Sequence, residues 1–178
     1  MKKISDSTKL VLSAIALFAL IIYSLQKNSE LNSYNPFNQQ FQTPEGIKTL
    51  NQYNNKIKLM YFGFLNCPDA CPTTMSKITK AFKQMTPEEL NRFVFIFIDL
   101  DPTRDTIEKL KDYTSYFHPN IVAFTTDPKS LAPFTQFFGI AYQKVNINSE
   151  MGYTIDHSTD IVVVSPKNEI TSNIHHEI

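Results

Sequence analysis

The sequence of 178 residues carries no net formal charge, with 17 basic side chains against 17 acidic, and it holds only two cysteines. Balanced charge supplies neither a basic surface nor an acidic tail, so nucleic acid is excluded as an expected partner. The apolar, uncharged stretch from Leu10 to Leu25 is not directly followed by a cysteine, which rules out lipid attachment there. It is also followed by no small-x-small site, since Tyr23-Ser24-Leu25-Gln26-Lys27 is a poor substrate for signal cleavage.

What stands at the N-terminus is therefore read as an anchor. Lys2, Lys3 and Lys9 precede the sixteen uncharged residues, the layout of a signal anchor. Sixteen is slightly short of the roughly 20 residues of a comfortable span, and flanking lysines can snorkel to make up the difference. The positive flank predicts that the N-terminus stays inside and the rest of the chain lies outside the cytoplasm. The expected organisation is an anchor over 1–26, a polar Asn/Gln-rich linker over 27–40 and one domain over 41–178.

Within that domain, strand-like and helix-like stretches alternate. Thr43-Pro44-Glu45-Gly46 marks a small hairpin, and Ile57 to Leu65 reads as a buried strand. Met75, Ile78, Phe82 and Met85 fall on one helical stripe, with Lys77, Lys80 and Lys83 facing away. Thr86-Pro87-Glu88-Glu89 has the form of a capping box. Phe93 to Leu100 is a second buried strand; a helix from Asp105, a short strand at Ile121 to Phe124 and a helix from Asp127 to Phe138 closed by Gly139 follow. Ala141 to Val145 reads as a strand, 146–156 as a polar loop, Thr159 to Val164 as a strand, and 165–172 as a closing hairpin. The pattern predicts an α/β domain with a mixed sheet.

The stretch around which the rest is organised is Tyr61 to Met75, which contains both Cys67 and Cys71. It lies between a strand and a helix, where unpaired amides and the helix dipole favour thiolate over thiol. Pro72 predicts that the helix begins there, making Cys71 the N-cap. Four residues of separation across a proline-containing loop allow the two sulfurs to close a disulfide or to chelate one metal ion, and the spacing does not choose between them. A strand, a cysteine pair and a helix opening on it fit a thioredoxin-like arrangement.

Asp156-His157-Ser158 stands directly before the last long strand, where an imidazole can face the cysteine loop. Two sulfurs and one nitrogen make a donor set that suits Cu(I), and also Cu(II) or zinc. Three protein ligands leave a position for a partner's donor, which suits transfer rather than storage. His118, His175 and His176 offer no such grouping.

Three separated segments, Cys67-Pro68-Asp69-Ala70-Cys71-Pro72 after Tyr61-Phe62-Gly63-Phe64, then 99–105 (Asp-Leu-Asp-Pro-Thr-Arg-Asp), then Asp156-His157-Ser158, closely resemble the Sco/SenC family, as does 138–145. The resemblance runs from about Phe41 to Val164. It implies a membrane-anchored, thioredoxin-like copper protein that assists assembly of the copper site of cytochrome c oxidase, with the oxidase's copper-binding subunit as partner. It further implies that Cys67, Cys71 and His157 bind one copper ion, Cu(I) or Cu(II), that the two cysteines form a disulfide when oxidised, and that a copper donor and a thiol reductant serve the protein. Adjacent cysteines and methionine-rich tracts are absent, so one high-affinity site is expected. The 99–105 segment either shapes the surroundings of the site or acts structurally, with Asp105 capping the next helix and Arg104 paired. The competing expectation is an extracytoplasmic thiol-disulfide oxidoreductase using Cys67 and Cys71 alone. Three residues between the cysteines, where thioredoxin-type enzymes have two, favour metal.

Overall fold

Two runs of seven residues, Ile57–Gly63 (β3) and Phe93–Asp99 (β4), are apolar at almost every position and buried on both faces. Such runs are satisfied only in the middle of a covered sheet. In the computed structural model, which describes residues 12–13, 15–24 and 34–175, they lie side by side and parallel, in register from Ile57 opposite Phe93 to Gly63 opposite Asp99. Ile121–Phe124 (β5) extends the sheet parallel to β4. Ile161–Val164 (β8) pairs antiparallel with β3, and Ile170–Ile174 (β9) pairs antiparallel with β8. The order β5-β4-β3-β8-β9 is a mixed five-stranded sheet.

Helices cover both faces. Leu59, Tyr61, Phe95 and Phe97 point to one side and pack with Met75 and Phe82 of Ala70–Phe82 (α1) and Leu110 of Ile107–Phe117 (α3). Phe62 points to the other side, against Phe134 of Pro128–Phe137 (α4) and against Phe138. Pro87–Leu90 (α2) is one turn held by the expected capping box, in which Thr86 and Glu89 satisfy each other's backbone amides. Asp127 caps α4 through the amides of Lys129 and Ser130, and Gly139 ends it at a φ of 69°, a left-handed conformation that glycine adopts without steric cost.

Two smaller hairpins complete the domain. Phe41–Thr43 (β1) and Gly46–Lys48 (β2) form the first, joined to the end of β5 by a bridge between Gln42 and Thr125. The second is formed by Tyr142–Asn146 (β6) and Tyr153–His157 (β7), a separate two-stranded sheet. The strand β7 lies where a polar loop is expected over 146–156. Its pattern is Tyr-Thr-Ile-Asp-His, with Ile155 buried and Asp156 exposed, so the alternation of a half-buried strand hides behind polar residues.

The chain divides into an N-terminal unit up to Asn35 and a domain from Pro36 to Ile178. Pro36 and Phe37 are buried, with Phe37 edge-on to Phe137 and Phe138, so the folded domain takes in the last residues of the linker expected over 27–40. The membrane span expected over Leu10 to Leu25 lies partly outside the described residues. Of these, 15–24 are helical, and no helix among the described residues is long and apolar enough to cross a membrane.

Candidate metal centre

The strand β3 ends at Gly63, and the chain turns through Phe64, Leu65 and Asn66 to reach Cys67. The next helix starts earlier than Pro72 suggests. Its first residue is Ala70, its N-cap is Asp69, and Cys71 and Pro72 are its second and third residues, so Cys71 is not the N-cap. Proline is accepted here because the first turn has no internal partners for its amides, and a missing N–H costs nothing. Asp69 makes no side-chain cap; instead the Cys71 amide donates to the Cys67 Sγ at 3.3 Å. The Cys67 sulfur thus fills the role of a capping acceptor at a helix N-terminus.

Cys71 is fully buried and Cys67 partly exposed. Space for the inner sulfur comes from Gly63, where an added Cβ would stand 2.7 Å from Cys71 Sγ and 3.0 Å from the Phe97 ring. The Tyr61 hydroxyl donates toward Cys71 Sγ at 3.8 Å. Hydrogen bonding from the Cys71 thiol pulls Cys67 down to about 4, against the opposing effect of burial, and His157 and the amides of Cys71 and Asp69 assist. Cys71 is pushed up for the reciprocal reasons, its proton held against Cys67 and its sulfur buried. One proton therefore stays on the inner sulfur, and the negative charge sits on the outer one at the helix terminus.

His157 arrives from β7, opposite Tyr142 of β6. Its Nε2 lies 3.8 Å from Cys71 Sγ, and its ring stands edge-on to those of Phe64 and Tyr61. Its Nδ1 is 2.8 Å from the Ser158 carbonyl oxygen, which can only accept. In the neutral ring the proton is thereby fixed on Nδ1 and the lone pair is left on Nε2, the arrangement of a metal-ligating histidine. The donor atoms of Cys67, Cys71 and His157 all lie within 4.8 Å of one another. Metal–sulfur and metal–nitrogen bonds of about 2.0–2.3 Å put neighbouring donors some 3.5 Å apart, so closing this set on one ion needs shifts on the order of 1 Å. An open pocket of about 310 Å³, lined by Ala141, Tyr142, Gln143, Asp156, His157 and Ser158, gives access to the imidazole side.

The acidic segment 99–105 lies at the same end of the sheet. Asp101 is fully buried and pairs with Arg104 at 2.7 Å, as expected for Arg104. Asp105 does not cap α3. Thr106 does, through the Lys109 amide, while Asp105 turns back to accept the Leu65 amide at 2.8 Å and so holds the cysteine loop. Asp99, fully buried, accepts from the Thr125 hydroxyl at 2.7 Å and the Asp101 amide at 2.8 Å; burial raises its carboxyl to about 7. The roles of Tyr61 and Gly63 beside the inner sulfur are not written in the motif that contains them, and that of Tyr153 is signalled only by its Tyr-x-Ile-x-His alternation.

A mixed sheet with a cysteine pair at the strand-to-helix turn defines a thioredoxin-like domain, here with an imidazole brought up to the pair. The family model described as SCO1/SenC matches residues 28–178, and the chain belongs to that family. An SCO2-like protein of Rickettsia prowazekii is 30% identical over 175 residues, 89% of this chain and 85% of that one. Among solved structures, Bradyrhizobium japonicum ScoI with copper bound is similar at a TM-score of 0.73 and 28% identity, covering 81% of this chain and 90% of that one. The apo Sco1 protein of Thermus thermophilus is similar at a TM-score of 0.71 and 30% identity, over 80% of this chain and 83% of that one.

Proposed function

We propose that this protein is a copper carrier that holds one ion through Cys67, Cys71 and His157 and passes it to the copper-binding subunit of cytochrome c oxidase. The observation that carries the reading is the convergence of two sulfurs and a free imidazole nitrogen within 4.8 Å, reached from segments far apart in sequence. Thiolate and imidazole donors suit Cu(I) and accommodate Cu(II), and a ScoI relative holds copper. Cys67 enters binding already deprotonated, Cys71 releases its proton, and His157 offers Nε2 without tautomer change. A partner's donors then approach beside His157 through the open pocket and displace the three ligands in turn. Residues 1–26 serve as a membrane anchor and 27–35 as the linker that holds the domain outside the cytoplasm. A copper donor and a thiol reductant are required, since the pair must be reduced to bind metal.

Titration of the reduced protein with copper tests this. One ion per chain is expected, lost in Cys67→Ser and in His157→Ala. A second reading, thiol-disulfide exchange, is favoured by the asymmetry of the pair. The partly exposed Cys67 thiolate attacks a partner disulfide and expels one partner thiolate, Cys71 then gives up its proton and displaces the other, and Cys67 and Cys71 leave as a disulfide while the partner is reduced. If the reduced protein takes up no copper yet reduces a test disulfide, and His157→Ala leaves that reduction intact, the second reading replaces the first.

A further inference from the structure

The two halves of the site sit on different pieces of the fold. Cys67 and Cys71 follow a central strand of the large sheet, whereas His157 ends a hairpin, β6–β7, that belongs to a separate sheet. Something has to set the distance between them. The hairpin is tied by side chains to the loop after β4. The Tyr153 hydroxyl donates to both oxygens of Asp101, at 2.8 and 3.0 Å. Arg104 donates to the Tyr153 carbonyl at 3.1 Å and to that of Met151 at 3.3 Å, and its guanidinium lies 4.0 Å from the centre of the Tyr153 ring. Lys144, from the other strand of the hairpin, reaches Thr103 and the Tyr153 hydroxyl, both at 3.2 Å. Asp101, with no exposed surface, is the hub, bonded to Tyr153, Arg104 and Thr103 together. Four residues further on, Asp105 holds the cysteine loop through the Leu65 amide.

We propose that the segment 99–105 is the gauge of the metal centre: Asp101 positions the histidine hairpin, Asp105 positions the cysteine loop, and the short rigid stretch between them sets the sulfur-to-imidazole separation. The role goes beyond stability. Tyr153 and His157 lie on the same face of β7, four residues apart, so a change in how Tyr153 seats on Asp101 is carried along the strand to the imidazole. Neither Asp101 nor Tyr153 is among the metal donors. The inference rests on the copper-site reading only in its metal-loaded part, because the gauge acts on the empty site as well.

The test uses the full chain, as Tyr153→Phe, Asp101→Asn and Asp105→Asn, beside His157→Ala. In the metal-free protein, nuclear Overhauser contacts between the His157 ring and the rings of Tyr61 and Phe64 are expected in the wild type and weakened in Tyr153→Phe. With Cu(II) added, electron paramagnetic resonance reads imidazole nitrogen coupling and absorption reads thiolate-to-copper charge transfer. Tyr153→Phe is expected to keep the thiolate band, lose part of the nitrogen coupling, and bind copper roughly tenfold more weakly, the usual effect of removing a partner behind a ligand. Asp105→Asn, acting on the other half, is expected to shift the thiolate band. Should Asp101→Asn fail to fold, Tyr153→Phe decides, since it retains the ring and removes one hydroxyl. Unchanged ring contacts and unchanged nitrogen coupling in Tyr153→Phe overturn the gauge. Wild-type protein that takes up no copper, or whose copper spectrum is untouched in His157→Ala, overturns the metal reading instead; the ring contacts then still decide the gauge.

Discussion

Replacing Gly63 with alanine puts one methyl group into the tightest point of the molecule. The added carbon falls 2.7 Å from Cys71 Sγ and 3.0 and 3.1 Å from two atoms of the Phe97 ring. Non-bonded carbon contacts settle at about 3.5–4.0 Å, so some 0.8 Å has to be found on the sulfur side and about 0.5 Å on the ring side. Phe97 lies in the middle of β4 with no exposed surface and packs against Tyr61 and Tyr113, which leaves it little room to retreat. The Cys71 sulfur can move by rotating about its Cα–Cβ bond, away from the Cys67 sulfur and from the His157 Nε2 at 3.8 Å. Overpacking of this kind costs about 1–3 kcal/mol, which corresponds to a melting temperature lower by roughly 3–10 °C for a domain of this size. Copper affinity is expected to fall at the same time, because the relief of the clash is taken at a donor atom. Thermal denaturation of the metal-free protein and copper titration of the same samples measure the two effects. A variant that melts within 1 °C of the wild type and binds copper within twofold refutes the argument that Gly63 makes space for the sulfur.

Other consequences follow from groups already described. Burial raises the Asp99 carboxyl from 3.8 to about 7, so the folded protein keeps a proton that the unfolded chain releases. Its contribution to stability is present below pH 4 and is lost as pH rises through about 7; Asp99→Asn is expected to flatten the fall in stability between pH 5 and 8, and denaturant melts showing equal slopes for both proteins would contradict this. Because Cys67 titrates near 4, its alkylation rate in the reduced, metal-free protein is expected to be flat from about pH 5.5 to 8, with Cys71 protected; a rate that climbs tenfold per pH unit would place the thiolate elsewhere. Phe134→Ala removes a fully buried ring that contacts Phe41, Phe62 and Phe138 on the face of the sheet away from the cysteines. It is expected to cost about 3–5 kcal/mol in denaturant unfolding while copper stoichiometry stays at the wild-type value in the folded fraction.

Much of this architecture is written in local patterns. The all-apolar runs at 57–63 and 93–99 declare central strands, and Asp127-Pro128, Gly139 and the Thr86–Glu89 box declare helix ends, because each signal arises from residues adjacent in the chain. The grouping of Cys67, Cys71 and His157 was legible for a different reason, as soft side chains of these kinds are few and distinctive. Three features escaped. Pro72 hides the true start of α1, since a first helical turn accepts proline at more than one position. The strand β7 is masked by Thr154, Asp156 and the polar turn before it, and its pairing with β6 is decided by tertiary contacts. The backward reach of Asp105 to Leu65 links residues 40 apart in sequence, a choice between capping forward and bonding backward that depends on where β3 ends.

The sulfur and the imidazole that meet at 3.8 Å are 86 residues apart along the chain. A stretch that long, containing nearly all of α1, the helices α2 to α4 and the strands β4 and β5, has to be in place before the third donor can arrive, so an unfolded or half-folded chain has at most a flexible thiol pair to offer. An ion held by all three donors therefore certifies that folding is complete, and it adds to the stability of the chain it certifies in proportion to the logarithm of its concentration over its dissociation constant. For the proposed carrier, cargo and quality control become one equilibrium: a molecule that loses its fold loses its copper with it, and a loaded molecule is the form hardest to unfold.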